Sequence, residues 1–204
     1  MLKLEKDISG AVLVGGRGRR IGYPKSRLRL GEERVIDRVV ETMKAIFEEV
    51  LMVVDDREHF IGPAGVSVVE DLIPGRGPLA GIYTALKLSS GKKVFVAAGD
   101  MPFLQTDLIR RLLAIARRED CDCVIPRNNK GFEPLHAVYD AVVVAEFERA
   151  LRGDDLSIWS AFSRLNTMYV GTTPVERHSF FSINTKEDLK SAILYSQVPD
   201  ASRS

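Results

Sequence analysis

The sequence predicts a three-layer α/β/α protein built on a Rossmann-like, mostly parallel sheet. Short apolar runs rich in β-branched residues recur along the chain, and stretches with helical spacing separate them. The runs are continuously apolar, as in strands buried on both faces, and parallel strands of that kind need helical crossovers. At 204 residues, with 45% hydrophobic and 28% charged residues, the chain has the size and balance of one globular domain.

The elements follow in order. AVLV at 11–14 reads as the first strand, and a Gly- and Arg-rich loop follows it. Val35, Ile36, Val39, Val40, Met43, Ile46 and Phe47 then recur at helical spacing. Residues 51–54 and 66–69 are short β-branched runs, and the Gly/Pro-rich segment DLIPGRGPLAG leads into a helix carrying Ile82, Ala85 and Leu86. Residues 93–98 read as a buried strand, followed by GDMPF and a helix with Leu108, Ile109, Leu112 and Leu113. Strands are expected at 123–125 and 135–139, and helices at 141–152 and 156–165. A short strand at 168–170 precedes a last helix, for which Thr185 and Asp188 have the spacing of an N-terminal cap. That helix is expected to end near Tyr195, with a frayed tail, VPDASRS, after it.

Charge and cysteine usage narrow the class. A net charge of +1 gives no reason to expect a nucleic-acid or membrane surface. Cys121 and Cys123 stand two apart in an expected strand and cannot bridge without distorting it, so free thiols and a reducing compartment are expected. Apolar runs such as VFVAA are far shorter than the ~20 residues of a membrane span. MLKLEKDISG lacks the apolar centre of a signal peptide, and a cytoplasmic location is expected.

The loop VGGRGRRIGYPK follows the first strand, where open α/β sheets bind their ligands. Glycines let a backbone approach a ligand closely, exposed N–H groups can cradle phosphate oxygens, and Arg and Lys add cationic donors. The loop is not a P-loop, because Tyr23 and Pro24 separate Gly22 from Lys25. Nor is it a dinucleotide fingerprint, since Gly16, Gly18 and Gly22 miss that spacing by one.

LVGGRGRRIGYPK instead resembles the opening signature LAGGxSxRMGxxK of the molybdenum cofactor guanylyltransferases, within the wider GT-A-like nucleotidyltransferases. The resemblance runs in the same order through GPLAG, GDMP and FFSINTKEDL, and implies a nucleotide-diphospho-sugar transferase type of fold. It makes 1–204 a single domain, with nucleotide binding over about 1–105 and acceptor binding over about 106–195.

Position by position, the resemblance puts Leu13, Val14, Gly15, Gly16 and Lys25 against the nucleotide, with Arg20 in support. Val14 stands where alanine is usual, and Gly18 where a small polar residue is usual. Asp71 and the turn from Gly77 to Gly81 would shape the base and ribose pocket. The Asp71 carboxylate would accept from guanine N1 and N2 or serve the ribose. By the resemblance Asp100 would hold Mg²⁺, the expected cofactor, and Lys25 and Asp100 would be the catalytic pair. Asp55 occupies a position where the family often has asparagine.

On the acceptor side, Asn184 and Thr185 match the family, and Ser182 replaces a usual asparagine. NTKEDL is equally what any helix start favours. His136 reads as a packed strand histidine or a pterin contact. The activity implied is transfer of GMP from GTP to the terminal phosphate of molybdopterin, forming the guanine dinucleotide and pyrophosphate. GTP, molybdopterin and molybdoenzyme-maturation proteins are the expected partners, without nucleic acid or membrane. The alternatives are a related transferase using CTP or a sugar-phosphate acceptor, and a non-catalytic nucleotide-binding protein.

Overall fold

The computed structural model describes residues 4–15, 27–58, 60–153 and 158–197. The chain runs through β1 (Ile8–Val14), a hairpin of β2 (Arg29–Leu30) and β3 (Glu33–Arg34), α1 (Val35–Lys44), β4 (Val50–Val54), β5 (Ser67–Glu70) and α2 (Pro78–Leu88). It continues through β6 (Lys93–Ala98), α3 (Thr106–Arg118), β7 (Cys123–Asn128), β8 (Gly131–Phe132), β9 (His136–Asp140), α4 (Val144–Arg152), α5 (Ile158–Phe162), β10 (Thr167–Gly171) and α6 (Lys186–Gln197).

The sheet order is β10-β7-β9-β6-β1-β4-β5, with β8 paired to β7. β1 is parallel to both its neighbours, with Leu13 opposite Val53 on one side and Ala98 on the other. β4 with β5 and β7 with β10 are also parallel, while β9 runs antiparallel between β6 and β7. The mostly parallel sheet expected from the sequence is therefore present, with β9 and the two-residue β8 reversed.

Each face of the sheet carries its own core. α1 and α3 bury Ile36, Val39, Met43, Leu108 and Leu112 on one side. On the other, α2, α4 and α5 bury Leu79, Ile82, Phe147, Leu151 and Phe162. The helical periodicities of α1 and α3 are the cause, because the buried residues recur at three- and four-residue steps on one stripe. A third, smaller cluster joins Leu28, Leu30 and Val35 to Ile183 and Ala192.

Several elements depart from the sequence expectations. The strand expected at 135–139 starts one residue later, and a single 3-10 turn, Ala141–Val143, precedes α4. Asp140 caps that turn, accepting from the Val142 N–H at 3.0 Å. Of the helix expected at 156–165, residues 156 and 157 lie outside the described residues, α5 spans Ile158–Phe162, and 163–165 are not helical; the tail also lies outside the described residues. The β2–β3 hairpin, β8 and the 3-10 turn Glu176–Phe180 are too short to show as periodicity. The cap of α6 forms as the spacing predicts. Thr185 Oγ1 accepts from the Asp188 N–H at 3.1 Å, and Asp188 Oδ2 accepts from the Thr185 N–H at 2.8 Å.

Candidate active site

The carboxyl ends of β1, β4 and β6 open onto a cavity of about 530 Å³. Parallel strands carry ligands at this end because each chain leaves its strand there and can shape a loop. Leu13, Val14 and Gly15 end β1 and form one wall. The Gly99 N–H donates to the Leu13 carbonyl at 2.9 Å, which ties the turn after β6 to this wall. Gly16, Arg20 and Lys25, expected from the sequence to complete the nucleotide loop, lie outside the described residues.

Asp71 follows β5 and lines the cavity, 9% exposed. Its N–H donates to the Val54 carbonyl at 2.8 Å, which fixes the turn to the end of β4. Thr84 Oγ1 donates to Asp71 Oδ1 at 2.7 Å, and the Ile73 N–H donates to the same oxygen at 3.1 Å. With Oδ1 so held, Oδ2 is the oxygen left for a ligand. The Thr84 hydroxyl, fully buried on α2, also accepts from the Leu72 N–H at 3.0 Å. The aspartate is therefore oriented from within the core.

Gly77 precedes α2 with φ of 74°, in the left-handed region that a side chain disfavours, and Pro78 takes the first helical position. Gly77, Pro78 and Gly81 all line the cavity, so the positive end of α2 faces it. A Cβ on Gly81 would stand 3.1 Å from Leu13 Cδ1. Glycine there lets α2 approach the end of β1 closely.

Asp100 ends the β6 turn and is 7% exposed. A buried carboxylate is stable only where cations or donors compensate it. Asp55 shares the cavity, its Oδ1 standing 3.5 Å from the place a Cβ on Gly15 would take. Among the described residues no group of three or more His, Cys, Asp or Glu could cage a metal. One buried carboxylate at a strand end, beside space for a ligand, suits an ion that takes its remaining ligands from phosphates and water. That is the preference of Mg²⁺.

The C-terminal segment reaches the same place. The Ile183 N–H donates to the Asp100 carbonyl at 3.0 Å, and Ser182 and Asn184 on either side line the cavity. The Ile183 side chain points away into the third cluster, fully buried. Nine of the residues singled out from the sequence thus line one cavity: Leu13, Val14, Gly15, Asp71, Gly77, Gly81, Asp100, Ser182 and Asn184.

His136 does not join them. It is fully buried in β9 and lies edge-on to Phe95 and Phe180, each with ring centroids 5.1 Å away. Nε2 is 3.4 Å from Ser179 Oγ, which itself accepts from the Gln105 N–H at 3.0 Å, and among the described residues Nδ1 has no hydrogen-bond partner. Burial lowers its pKa to about 3, so the ring is neutral. The pterin contact weighed from the sequence is corrected to a packed core histidine. Leu135, one residue before it, lines the cavity instead. Sequence reasoning missed Leu135, Gly75, Gly99 and Met101. The rule that ligands sit beyond strand ends signals Gly99 and Met101, which flank Asp100, whereas nothing local marks Leu135.

Known proteins resemble this chain in sequence and architecture. The model of the MobA-like NTP transferase domain matches residues 10–167. A probable molybdenum cofactor guanylyltransferase of Peptoclostridium acidaminophilum is 31% identical over 200 residues, covering 93% of this chain and 89% of its own. One of Pelotomaculum thermopropionicum is 34% identical over 189 residues, covering 90% and 91%. The crystal structure of molybdopterin-guanine dinucleotide biosynthesis protein A from Archaeoglobus fulgidus matches with a TM-score of 0.81 and 32% identity, over 93% of this chain and 100% of that one. Sequence and architecture agree over most of the length, and the chain belongs to the MobA-like NTP transferase family.

Proposed function

We propose that this protein transfers GMP from GTP to the terminal phosphate of molybdopterin, forming the guanine dinucleotide and releasing pyrophosphate. The reading is carried by one observation: Leu13–Gly15 and Asp71, matched to the nucleotide, line the same cavity as Asp100 and as Ser182 and Asn184, matched to the acceptor. The relatives named for this reaction span most of the chain and support it.

In this reading an oxygen of the acceptor phosphate attacks the α-phosphorus of GTP. A new P–O bond forms, the bond to the β-phosphate oxygen breaks, and pyrophosphate leaves. The acceptor phosphate is already anionic, so no general base is needed. The work falls to positioning and charge neutralisation. The turn at Leu13–Gly15 holds the nucleotide, and Asp71 Oδ2 accepts from the guanine edge or from the ribose. Lys25, assigned from the sequence resemblance, meets charge on the leaving pyrophosphate. Asp100 would hold Mg²⁺, which would supply neutralisation of phosphate charge. Ser182 and Asn184 orient the acceptor beside Asp100. Among the described residues no helix is long and apolar enough to cross a membrane. A cytoplasmic enzyme exchanging its acceptor and product with molybdoenzyme-maturation proteins fits this reading.

The test is pyrophosphate release with molybdopterin and Mg²⁺, comparing GTP, CTP, ATP and UTP. Release with GTP that requires molybdopterin is the expected result. Preference for CTP would move the protein to cytidylyl transfer, and no release with any nucleotide would overturn the reading.

A further inference from the structure

We infer that an aromatic platform of Phe132, Trp159 and Tyr169, flanked by Arg127, binds the planar ring of the acceptor beyond the cavity. This inference rests on the proposed reaction, because it names where the far end of the acceptor lies.

Phe132 packs against Tyr169 with ring centroids 4.4 Å apart and against Trp159 at 5.4 Å. Trp159 stays 45% exposed and Tyr169 43%, although Phe162 steadies the indole from below at 5.7 Å. The Arg127 guanidinium stands 5.4 Å from the centre of the Phe132 ring. These rings come from three separate elements, β8, α5 and β10, and they converge on one spot.

The platform lies on the side of the molecule that the acceptor must use. β7 is antiparallel to β9 and β9 is antiparallel to β6, so the carboxyl ends of β7, β10 and β6 share one edge. Arg127 pairs with Phe132 on one side and with Gly171 on the other, at that edge. Phe132 and Leu135 pack against the same core, the one that α2 covers, and Leu135 lines the cavity. From β6 the path crosses β9 and β7 to β10. Three strand steps are about 14 Å. The nucleoside side of the cavity, at Asp71 after β5, lies in the opposite direction along the sheet. An acceptor joined through its phosphate near Asp100 therefore extends its ring toward β7 and β10.

Size decides between a ring and a protein as the occupant. Two half-exposed aromatic side chains offer about 200 Å², whereas a stable protein interface needs about 800 Å² from each partner. A flat heterocycle fits that footprint, and stacking on exposed aromatic faces with a neighbouring guanidinium is how proteins hold such rings.

Trp159 is the single tryptophan of the chain, so its fluorescence reports this spot alone. Molybdopterin is titrated against the wild-type protein and against Tyr169→Ala and Tyr169→Phe, and pyrophosphate release is measured with GTP. The expected result is quenching of Trp159 in the wild type. Tyr169→Ala raises KM for molybdopterin about tenfold, leaves KM for GTP unchanged, and is rescued by Tyr169→Phe. Turnover without quenching, with wild-type KM for molybdopterin in Tyr169→Ala, would overturn the platform and leave the patch to a protein partner. Quenching without turnover would support the platform while overturning the transferase reading.

Discussion

The backbone N–H of Ile183 donates to the carbonyl of Asp100 at 3.0 Å, joining the C-terminal segment to the turn that follows β6. The Ile183 side chain meanwhile packs with Leu28 and Leu30, which follow the basic loop in sequence, and with Ala192 of α6. One residue therefore joins the segment carrying Ser182 and Asn184, the Asp100 turn and the stretch at Leu28 and Leu30. Truncating it is expected to loosen all three.

Ile183→Ala should destabilise the protein by about 3 kcal/mol, within the range for a fully buried aliphatic side chain. Urea unfolding measures this. The KM values for both GTP and molybdopterin should rise at a temperature where the variant remains folded. A stability loss with unchanged KM values would limit Ile183 to packing.

Asp100→Asn should reduce Mg²⁺-dependent transfer at least about 100-fold while the circular dichroism spectrum stays that of the wild type. The substitution keeps the side-chain shape and removes the Asp100 charge from the cavity. Wild-type turnover with unchanged metal dependence would remove Asp100 from the mechanism.

Asp71→Asn keeps an oxygen for Thr84 and Ile73 but turns the ligand-facing Oδ2 into an NH₂ donor. If Asp71 reads guanine, the preference for GTP over ATP should fall by about tenfold or more. An equal rise in KM for every nucleotide would assign it to the ribose instead. Comparing kcat/KM across the four nucleotides decides.

Gly77→Ala places a Cβ where φ is 74°, although nothing stands within 4 Å of that atom. The cost is conformational rather than steric. It should amount to about 1 kcal/mol in thermal or urea unfolding. A variant as stable as the wild type would show that this turn relaxes freely.

His136 gives the fold a pH dependence. The unfolded chain protonates this ring near its ordinary pKa of 6.5, while burial lowers the folded value to about 3. The unfolded state therefore binds more protons as pH falls from 6.5 toward 3. Stability contributed by the neutral ring is complete above 6.5 and should fall by about 1.4 kcal/mol per pH unit below it. Urea unfolding of the wild type and of His136→Phe between pH 7 and pH 5 tests this. The same slope in both proteins would assign the acid sensitivity elsewhere.

Some of the site was legible in residue order. Asp71 and Asp100 stand just past apolar runs, and glycines beside them mark turns that approach a ligand. The pattern around GPLAG placed α2, and the spacing of Thr185 and Asp188 placed the start of α6. His136 shows the limit. Its neighbours Phe95 and Phe180 come from a pairing strand and a distant turn, and no local pattern distinguishes a histidine facing them from one facing a ligand.

By itself the sequence determined the order of strands and helices, the mostly parallel sheet and the loops that carry Asp71 and Asp100. It could do so because backbone preference and the period of burial are local properties, written in neighbouring residues. Only the tertiary structure decided that Ile183 would brace Asp100, that Leu135 rather than His136 would face the cavity, and that Phe132, Trp159 and Tyr169 would meet. Those contacts depend on strand register and on which face each helix covers, and one step of register turns a side chain from one face of the sheet to the other.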